Sequence, residues 1–229
     1  MPDFLRIGIL PVALTLGAYQ IGLLCQKKLK SPVCNPILIG VVIVLAFLKL
    51  TGMESQDYQA GTAAISWLMT PATVCLAIPM YEQFQALRKN LKAIVAGIVS
   101  GTVVCLAVIL TVTLLAGYDR SLIISLLPKS VTSAIGVPLS ELSGGIASIT
   151  TAAIIFTGIM ANVMGTFLCR IFRLTDDAAK GVALGTSGHV IATTKANELS
   201  PLAGAVSSLS LVIAGLLTAI LFPLISQLI

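Results

Sequence analysis

Five apolar runs, long enough or nearly long enough to cross a lipid bilayer, recur along this 229-residue chain. They cover residues 5–25, 36–50, 91–115, 146–169 and 203–228. A helix needs about 20 apolar residues to cross the ~30 Å hydrocarbon core. Only 10% of the residues are charged, against roughly 25% in soluble domains. The chain is therefore predicted to be an all-α integral membrane protein, a polytopic helical bundle in which residues 1–229 form a single transmembrane domain.

Basic residues cluster in the short segments between these runs. The clusters follow the first run, precede the third and follow the fourth; they comprise Lys27, Lys28, Lys30, Arg88, Lys89, Lys92, Arg170, Arg173 and Lys180. Residues 51–60 carry two acids and no base. The positive-inside rule places the clusters in the cytoplasm and residues 51–60 outside. Because membrane topology explains the net charge of +5, no nucleic-acid partner is predicted.

The segment at residues 122–142 is apolar but interrupted by Pro128 and Lys129. If it crossed the membrane, the basic cluster after the fourth run would lie outside. The charge rule therefore favours a re-entrant segment that enters from the outer side and returns to it. Non-helical backbone at such depth is tolerated only where protein or a watery cavity satisfies it. A cavity is predicted there.

The interrupted segments resemble one another. "PATVCLAI" at residues 71–78 matches "PKSVTSAI" at residues 128–135, and "GTSGHVIATT" at residues 185–194 has the same small, hydroxyl-rich character. Weak internal symmetry of interrupted helices indicates a transporter site. The preferred pairing sets residues 63–115 against residues 177–228, each a broken segment followed by an intact helix. It predicts the inverted-repeat architecture of a secondary transporter.

Lys129 is the residue of this pattern that most needs an explanation. A lysine at the centre of a transmembrane helix costs ~2.5–3.5 kcal/mol on insertion scales, and no carboxylate neighbours it in sequence. Its counter-ion could be an anionic substrate, with helix starts after the two prolines adding N–H donors. Alternatively, Lys129 snorkels to the outer surface from a shallow hairpin. The predicted substrate-binding residues are Thr70, Pro71, Thr73, Lys129, Ser130, Thr132, Ser133, Thr186 and Ser187.

His189, the only histidine of the chain, lies in the third hydroxyl-rich stretch. A histidine exchanges protons near neutrality, and ionisable residues within membranes often form proton relays. His189 and Glu198 are therefore predicted to couple transport to protons, with a hydrogen-bonded packing role for His189 as the equal alternative. Glu198 also lies three residues after Lys195, which is the spacing of an ion pair at a helix end.

No pattern of a catalytic or metal site is present in the sequence. The five cysteines are scattered and odd in number, which is typical of small core residues. A metal-ligand cluster, a phosphate-binding loop and a nucleophile elbow are all missing. The chain is predicted to be no enzyme and to hold neither a metal nor a cofactor, so its transport would be secondary.

Three longer stretches resemble the LrgB/CidB family of membrane proteins. They are "TPATVCLAIPMYEQFQALRKNLKAI", "LPKSVTSAIGVPLSELSGGIASIT" and "KGVALGTSGHVIATTKANELSPLAGAVSSLSLVIAGLLTAI". The resemblance covers nearly the whole chain, and the family includes the plastidic glycolate/glycerate translocator of plants. Where members commonly read Gly-Thr-Ala/Ser-Ser-His and then Gly-Thr-Ala-Arg, this chain has Gly188 before His189 and Lys195 in place of the arginine.

The resemblance implies two kinds of function. One is a carrier of small monocarboxylates such as glycolate, glycerate and pyruvate, with a carboxylate anion and a proton as ligands. The other is an antiholin-like regulator of murein hydrolase export and cell lysis. The carrier is favoured, because a lytic protein needs no buried lysine, histidine and interrupted helices at one depth.

The resemblance also implies a cellular setting. The expected location is the cell inner (plasma) membrane, with multiple passes through the bilayer. Family members often act beside a small LrgA/CidA-type membrane protein, and the sequence is compatible with a homo-oligomer.

Overall fold

A computed structural model describes residues 8–29 and 35–229 of the chain. Within these ranges the chain is helical apart from short connections and contains no β-strand, which confirms the all-α class. Three of the described helices, Phe84–Leu115, Ala147–Ile171 and Pro201–Ser226, are long and apolar enough to cross a membrane. The helices are α1 (Leu10–Leu29), α2 (Pro36–Thr51), α3 (Ser55–Gly61), α4 (Ala63–Trp67), α5 (Met69–Cys75), α6 (Ala77–Glu82), α7 (Phe84–Leu115), α8 (Arg120–Leu126), α9 (Ser133–Leu142), α10 (Ala147–Ile171), α11 (Asp177–Leu199) and α12 (Pro201–Ser226).

The chain divides into two compact units, Met1–Cys75 and Leu76–Ile229. In the first unit, helices α1 and α2 run antiparallel, since Gly22 lies against Pro36 whereas Gly40 lies against the backbone of Ala18. The first apolar run of the sequence begins within residues 1–7, which lie outside the described residues.

The predicted interruption of residues 63–83 is present as three short helices, α4, α5 and α6. Single turn residues, Leu68 and Leu76, separate them. Pro71 and Pro79 each stand in the first turn of a short helix. A proline is tolerated there because the N–H that it lacks has no intrahelical partner. The prolines therefore restart the helix and do not break it at their own positions.

The long helices of the second unit form its frame. Helix α12 begins at the cap residue Ser200, whose side chain accepts a hydrogen bond from the Ala203 N–H, and Pro201 follows as the first helical residue. Its inward face is almost completely buried, with Val206 and Phe222 at 0% exposure. This frame leaves the apolar side chains of α7, α10 and α12 that face outward available to lipid.

Helices α8 and α9 form a hairpin, here called the first hairpin. The Ser121 hydroxyl donates to the Gly144 carbonyl at 3.2 Å, and the Ile146 N–H donates to Ser125 Oγ at 2.7 Å. The two ends of the segment are therefore in contact, and residues 127–132 form its non-helical tip. The reversal predicted for residues 122–142 is present.

Helix α11 is also a hairpin, here called the second hairpin. Its backbone leaves helical geometry at Gly188 (φ −133°, ψ 18°) and His189 (φ 43°, ψ −140°). In the first arm Gly181 lies against the Ala203 carbonyl of α12, and in the second arm Asn197 lies against Gly204 of the same helix, so the beginning and the end of the segment lie together. The segment that was predicted as one broken helix therefore folds back, and both of its ends lie at the same end of the second unit.

The two hairpins enter the second unit from opposite ends. Arg120, at the start of the first hairpin, donates from its guanidinium to the carbonyl of Ser226 at the C-terminal end of α12, at 3.0 Å. The second hairpin begins and finishes beside the N-terminal end of α12. That end also carries the exposed basic residues Arg88, Lys89, Arg170 and Arg173 and is called the basic end below.

Candidate functional site

The tips of the two hairpins meet at a small internal cavity near the middle of α7 and α12. Its volume is about 10 Å³, close to the minimum that admits one water molecule. It is lined by Thr102, Cys105, Leu106, Leu127, Pro128, Ser130, Val131, Thr186, Ala214 and Thr218. The predicted cavity at the interrupted segment is therefore present, although it is small.

Proline and small polar residues shape the tip of the first hairpin. Helix α8 ends at Leu126, and Pro128 is buried at the turn. The Ser130 hydroxyl lies 3.1 Å from the Cys105 thiol of α7. The next helix resumes with Ile135 and Gly136, whose N–H groups both donate to the Thr132 carbonyl.

The start of α9 offers hydrogen-bond donors to this region. Thr132 flanks the helix and makes no capping hydrogen bond with its side chain. The N–H groups of Ser133 and Ala134 precede the first intrahelical bonds, so they are available to an acceptor. The positive end of the helix dipole also lies here. The tip of the first hairpin can therefore stabilise a negative charge.

Lys129 lies between these groups, in the non-helical tip. It is half-buried, and its backbone N–H donates to the Leu126 carbonyl at 3.2 Å. In the described part of the chain the ion pairs are Lys180 with Asp177 and Lys195 with Glu198, so the Lys129 ammonium has no carboxylate partner there. The lining of the small cavity includes Pro128 and Ser130 but not Lys129, so the cation belongs to the same tip without being part of the cavity wall. A half-buried cation on a tip that also offers N–H groups is suited to receive an anion.

Threonine and serine hydroxyls line the tip of the second hairpin. Thr186 Oγ1 donates to the Val182 carbonyl at 2.7 Å, and Ser187 Oγ donates to the Ala183 carbonyl at 2.6 Å. Because each O–H is engaged by its own helix, both hydroxyls present acceptor lone pairs unless they rotate. Thr186 lines the cavity, whereas Ser187 is exposed.

His189 forms the reversal of the second hairpin and is directed toward α10. It is 5% exposed, and its Nε2 lies 3.0 Å from the Ile154 carbonyl, so Nε2–H donates. A side chain at Gly158 would meet the imidazole ring at 2.8 Å, which explains the glycine. Since the Ile154 side chain also lies against Gly136 of the first hairpin, this one residue of α10 contacts both hairpins.

The second residue predicted to carry protons lies away from the tips. Glu198 stands near the base of the second hairpin, with its carboxylate 2.7 Å from the Lys195 ammonium. It is nine residues from His189, or about 13 Å along a helix, so the structure does not bring the two together. Thr70, Pro71 and Thr73 belong to α5 of the first unit; the side chains of the two threonines lie outside the described residues.

Three cavity residues that carry a hydroxyl or a thiol were not predicted from the sequence, namely Thr102, Cys105 and Thr218. They occupy the middle of long apolar helices, where an isolated hydroxyl or thiol carries little signal. Thr102 is 4% exposed and donates to the Ile98 carbonyl. A hydroxyl at the midpoint of each of two spanning helices was the available clue.

The described residues contain no group of three His, Cys, Asp or Glu side chains that could hold a metal ion. The chemistry that this arrangement supports is reversible binding of a small anion by an ammonium group and backbone N–H donors.

Comparison with known families identifies the family of the chain. The model of the LrgB-like family matches residues 15–228, which is nearly the whole chain. No solved structure matches it.

Proposed function

The chain belongs to the LrgB-like family, and from that premise we propose that it is a secondary transporter of small monocarboxylates of the glycolate, glycerate and pyruvate type. The observation that carries the proposal is the meeting of two opposed hairpin tips, one of which contains Lys129, a half-buried cation without a carboxylate partner among the described residues. Transport would proceed without a chemical step, so the protein would not be an enzyme.

Internal symmetry of the two hairpins supports a transporter. Residues 119–143 and 176–200 align without gaps, each position standing 57 residues before its counterpart. The alignment pairs Asp119 with Asp176, Leu127 with Leu184, Ser130 with Ser187, and Glu-Leu-Ser at residues 141–143 with Glu-Leu-Ser at residues 198–200. A long helix follows each hairpin, α10 after the first and α12 after the second.

We infer that hairpin plus long helix is the repeating unit, used twice in opposite orientation. This pairing replaces the one predicted from residues 63–115 and 177–228. Transporters with inverted repeats place the substrate at the repeat interface near the bilayer midplane, where interrupted helices supply dipole ends and free backbone groups. The position of the cavity between the tips, near the middle of α7 and α12, supports such an arrangement in the second unit.

The size of the cavity favours a mechanism in which the tips separate. A volume of about 10 Å³ accommodates one water, whereas a glycolate anion has five heavy atoms. The carboxylate would therefore enter when one hairpin moves away from the other, and the tips would close around it. If the first and the second hairpin move away in turn, the same site opens first to one side of the membrane and then to the other.

The proposed transport is coupled to protons through His189. The imidazole contacts α10 at the point where that helix also touches the first hairpin. A change in its charge would alter the energy of this buried contact and hence the balance between open and closed tips. Glu198, at the base of the hairpin, would exchange protons only where they enter the protein and would take no part at the tips.

Uptake into proteoliposomes tests the proposed function. The purified protein, reconstituted alone, should take up labelled glycolate, pyruvate or lactate with saturation and competition among them, faster when an inward proton gradient is imposed. An antiholin-like regulator of lysis would give no saturable uptake of any of the three. Absence of saturable uptake in vesicles that contain correctly folded protein would reject the carrier.

A further inference from the structure

A groove of about 600 Å³ lies between α7 and the first arm of the second hairpin. Glycine, alanine and serine predominate along its walls, so the two helices leave space between them. The lining comprises Asn90, Ala93, Ile94, Gly97, Ser100, Gly101, Val104, Leu174, Asp176, Ala178, Ala179, Val182, Ala183 and Thr186.

The groove connects the basic end of the second unit with the hairpin tips. Asn90 and Asp176 lie at its outer end, where α7 and the second hairpin begin. Thr186 lies at its inner end and also lines the small cavity between the tips. A Cβ added at Gly101 would lie 3.5 Å from Thr186 Oγ1, so α7 and the second hairpin are in close contact where the groove ends.

The groove side of α7 differs from the side that faces outward. Ser100 and the two glycines lie on the groove side, whereas Val99 and Val103, 38% and 47% exposed, lie on the opposite side. Asn90, Asp176, Ser100 and Thr186 place polar groups from the mouth to the inner end of a lining that is otherwise apolar. These groups offer hydrogen bonds to water along the length of the groove.

We propose that this groove is the aqueous passage by which the carboxylate reaches the hairpin tips from the cytoplasm, with Gly101 and Thr186 as its inner constriction. The inference rests on the proposed transport function for the identity of the permeating anion. The positive-inside rule assigns the basic end to the cytoplasm.

Charge at the mouth favours the entry of an anion. Arg88 and Lys89 stand on the helix turn that carries Asn90, and Arg173 immediately precedes Leu174 of the lining; all three are exposed. These three cations outnumber the Asp176 carboxylate of the lining, and Lys180 pairs with the neighbouring Asp177 at 2.7 Å. Fixed cations around an opening raise the local concentration of anions, an effect that falls as ionic strength rises.

Thiol labelling of matched cysteines tests the passage. Ser100→Cys in the groove and Val99→Cys on the opposite side lie at the same depth of α7, in a background whose five native cysteines are replaced by alanine. A charged methanethiosulfonate reagent, added to the cytoplasmic side of inside-out vesicles, should modify Ser100→Cys at least about tenfold faster, because a charged reagent does not enter hydrocarbon readily. Ala93→Cys, nearer the mouth, provides a second groove position.

The rates separate this inference from the proposed function. Equal rates at the two matched positions, or rapid labelling at Ala93→Cys without labelling at Ser100→Cys, would overturn the passage. Because labelling requires no transport, a labelled groove in protein without carboxylate uptake would retain the passage and remove only the carrier. Saturable uptake together with an unlabelled Ser100→Cys would retain the carrier and remove the passage.

Discussion

Lys129 is the residue on which the proposed substrate chemistry depends. Its half-buried ammonium has no carboxylate partner among the described residues, so a bound carboxylate would supply the missing counter-charge. The groups around it determine whether that anion can be held. The free N–H groups at the start of α9 provide further donors, whereas the hydroxyls of Thr186 and Ser187 already donate to their own helix.

Replacing Lys129 separates the two interpretations of this residue. Lys129→Met should fold at least as well as the parent, because it removes a desolvation cost, yet bind carboxylate more weakly. A charge-assisted hydrogen bond contributes about 1.5–3 kcal/mol, which is roughly a ten- to hundred-fold loss of affinity. Lys129→Arg should recover part of it, since a guanidinium fork does not overlay a point ammonium. If Lys129 only snorkels, affinities measured by calorimetry on the purified variants would stay within about twofold of the parent.

His189 can be tested with a residue that keeps its hydrogen bond. The amide of His189→Gln can still donate to the Ile154 carbonyl, which His189 contacts at 3.0 Å, but it cannot titrate. Uptake driven by a pH gradient should therefore be lost while downhill exchange of carboxylate persists. Equal loss of both modes would assign His189 to structure alone, and loss of neither would remove it from the mechanism.

At the scale of the elements, the two hairpins differ in how clearly the sequence predicts them. The first contains Pro128 and Lys129 inside an apolar segment, and the positive-inside rule favours a re-entrant segment over one that crosses. The reversal could therefore be predicted. The second hairpin has no proline, and its 23 residues are enough to span a bilayer. The sequence alone therefore predicts one interrupted helix and not a hairpin.

The turn of the second hairpin depends on a contact that no local pattern reveals. His189 has φ 43° and ψ −140°, a conformation that costs a non-glycine residue on the order of 1–3 kcal/mol. Its ring is held by the Ile154 carbonyl and by the space over Gly158, both on α10. Only tertiary packing explains the reversal at this position. The repeated Glu-Leu-Ser at residues 141–143 and 198–200 was the signal in the sequence that could have indicated it.

Labelling from each side tests the hairpins directly. A cysteine at Thr175→Cys, before the second hairpin, and one at Glu198→Cys, at its end, should both react with a thiol reagent only from the cytoplasmic side. Asn90→Cys serves as the inside reference, and Ser55→Cys serves as the outside reference. Loss of the Glu198 ion pair is a small perturbation, since an exposed pair contributes about 0–1 kcal/mol. Reaction of Glu198→Cys from outside, with Thr175→Cys reacting from inside, would mean that α11 spans the membrane.

At the scale of the whole molecule, composition was sufficient to predict the fold class but not the residues that form the candidate site. Apolar runs and few charges predicted a helical membrane protein, because lipid leaves the backbone little choice. The cavity required the meeting of residues from α7, both hairpins and α12, which are up to 116 positions apart, from Thr102 to Thr218. Such contacts between distant segments follow from packing and not from spacing along the chain.

The central claim is that the protein is a carrier, and counterflow tests it most directly. Proteoliposomes are loaded with an excess of unlabelled carboxylate and diluted into a trace of the same labelled carboxylate, without any ion gradient. A carrier whose single site is exposed to one side at a time exchanges label for unlabelled substrate, so labelled glycolate, pyruvate or lactate should rise transiently above its equilibrium level and then decline. A monotonic rise to equilibrium without this overshoot, or no entry of any of the three, would contradict the account.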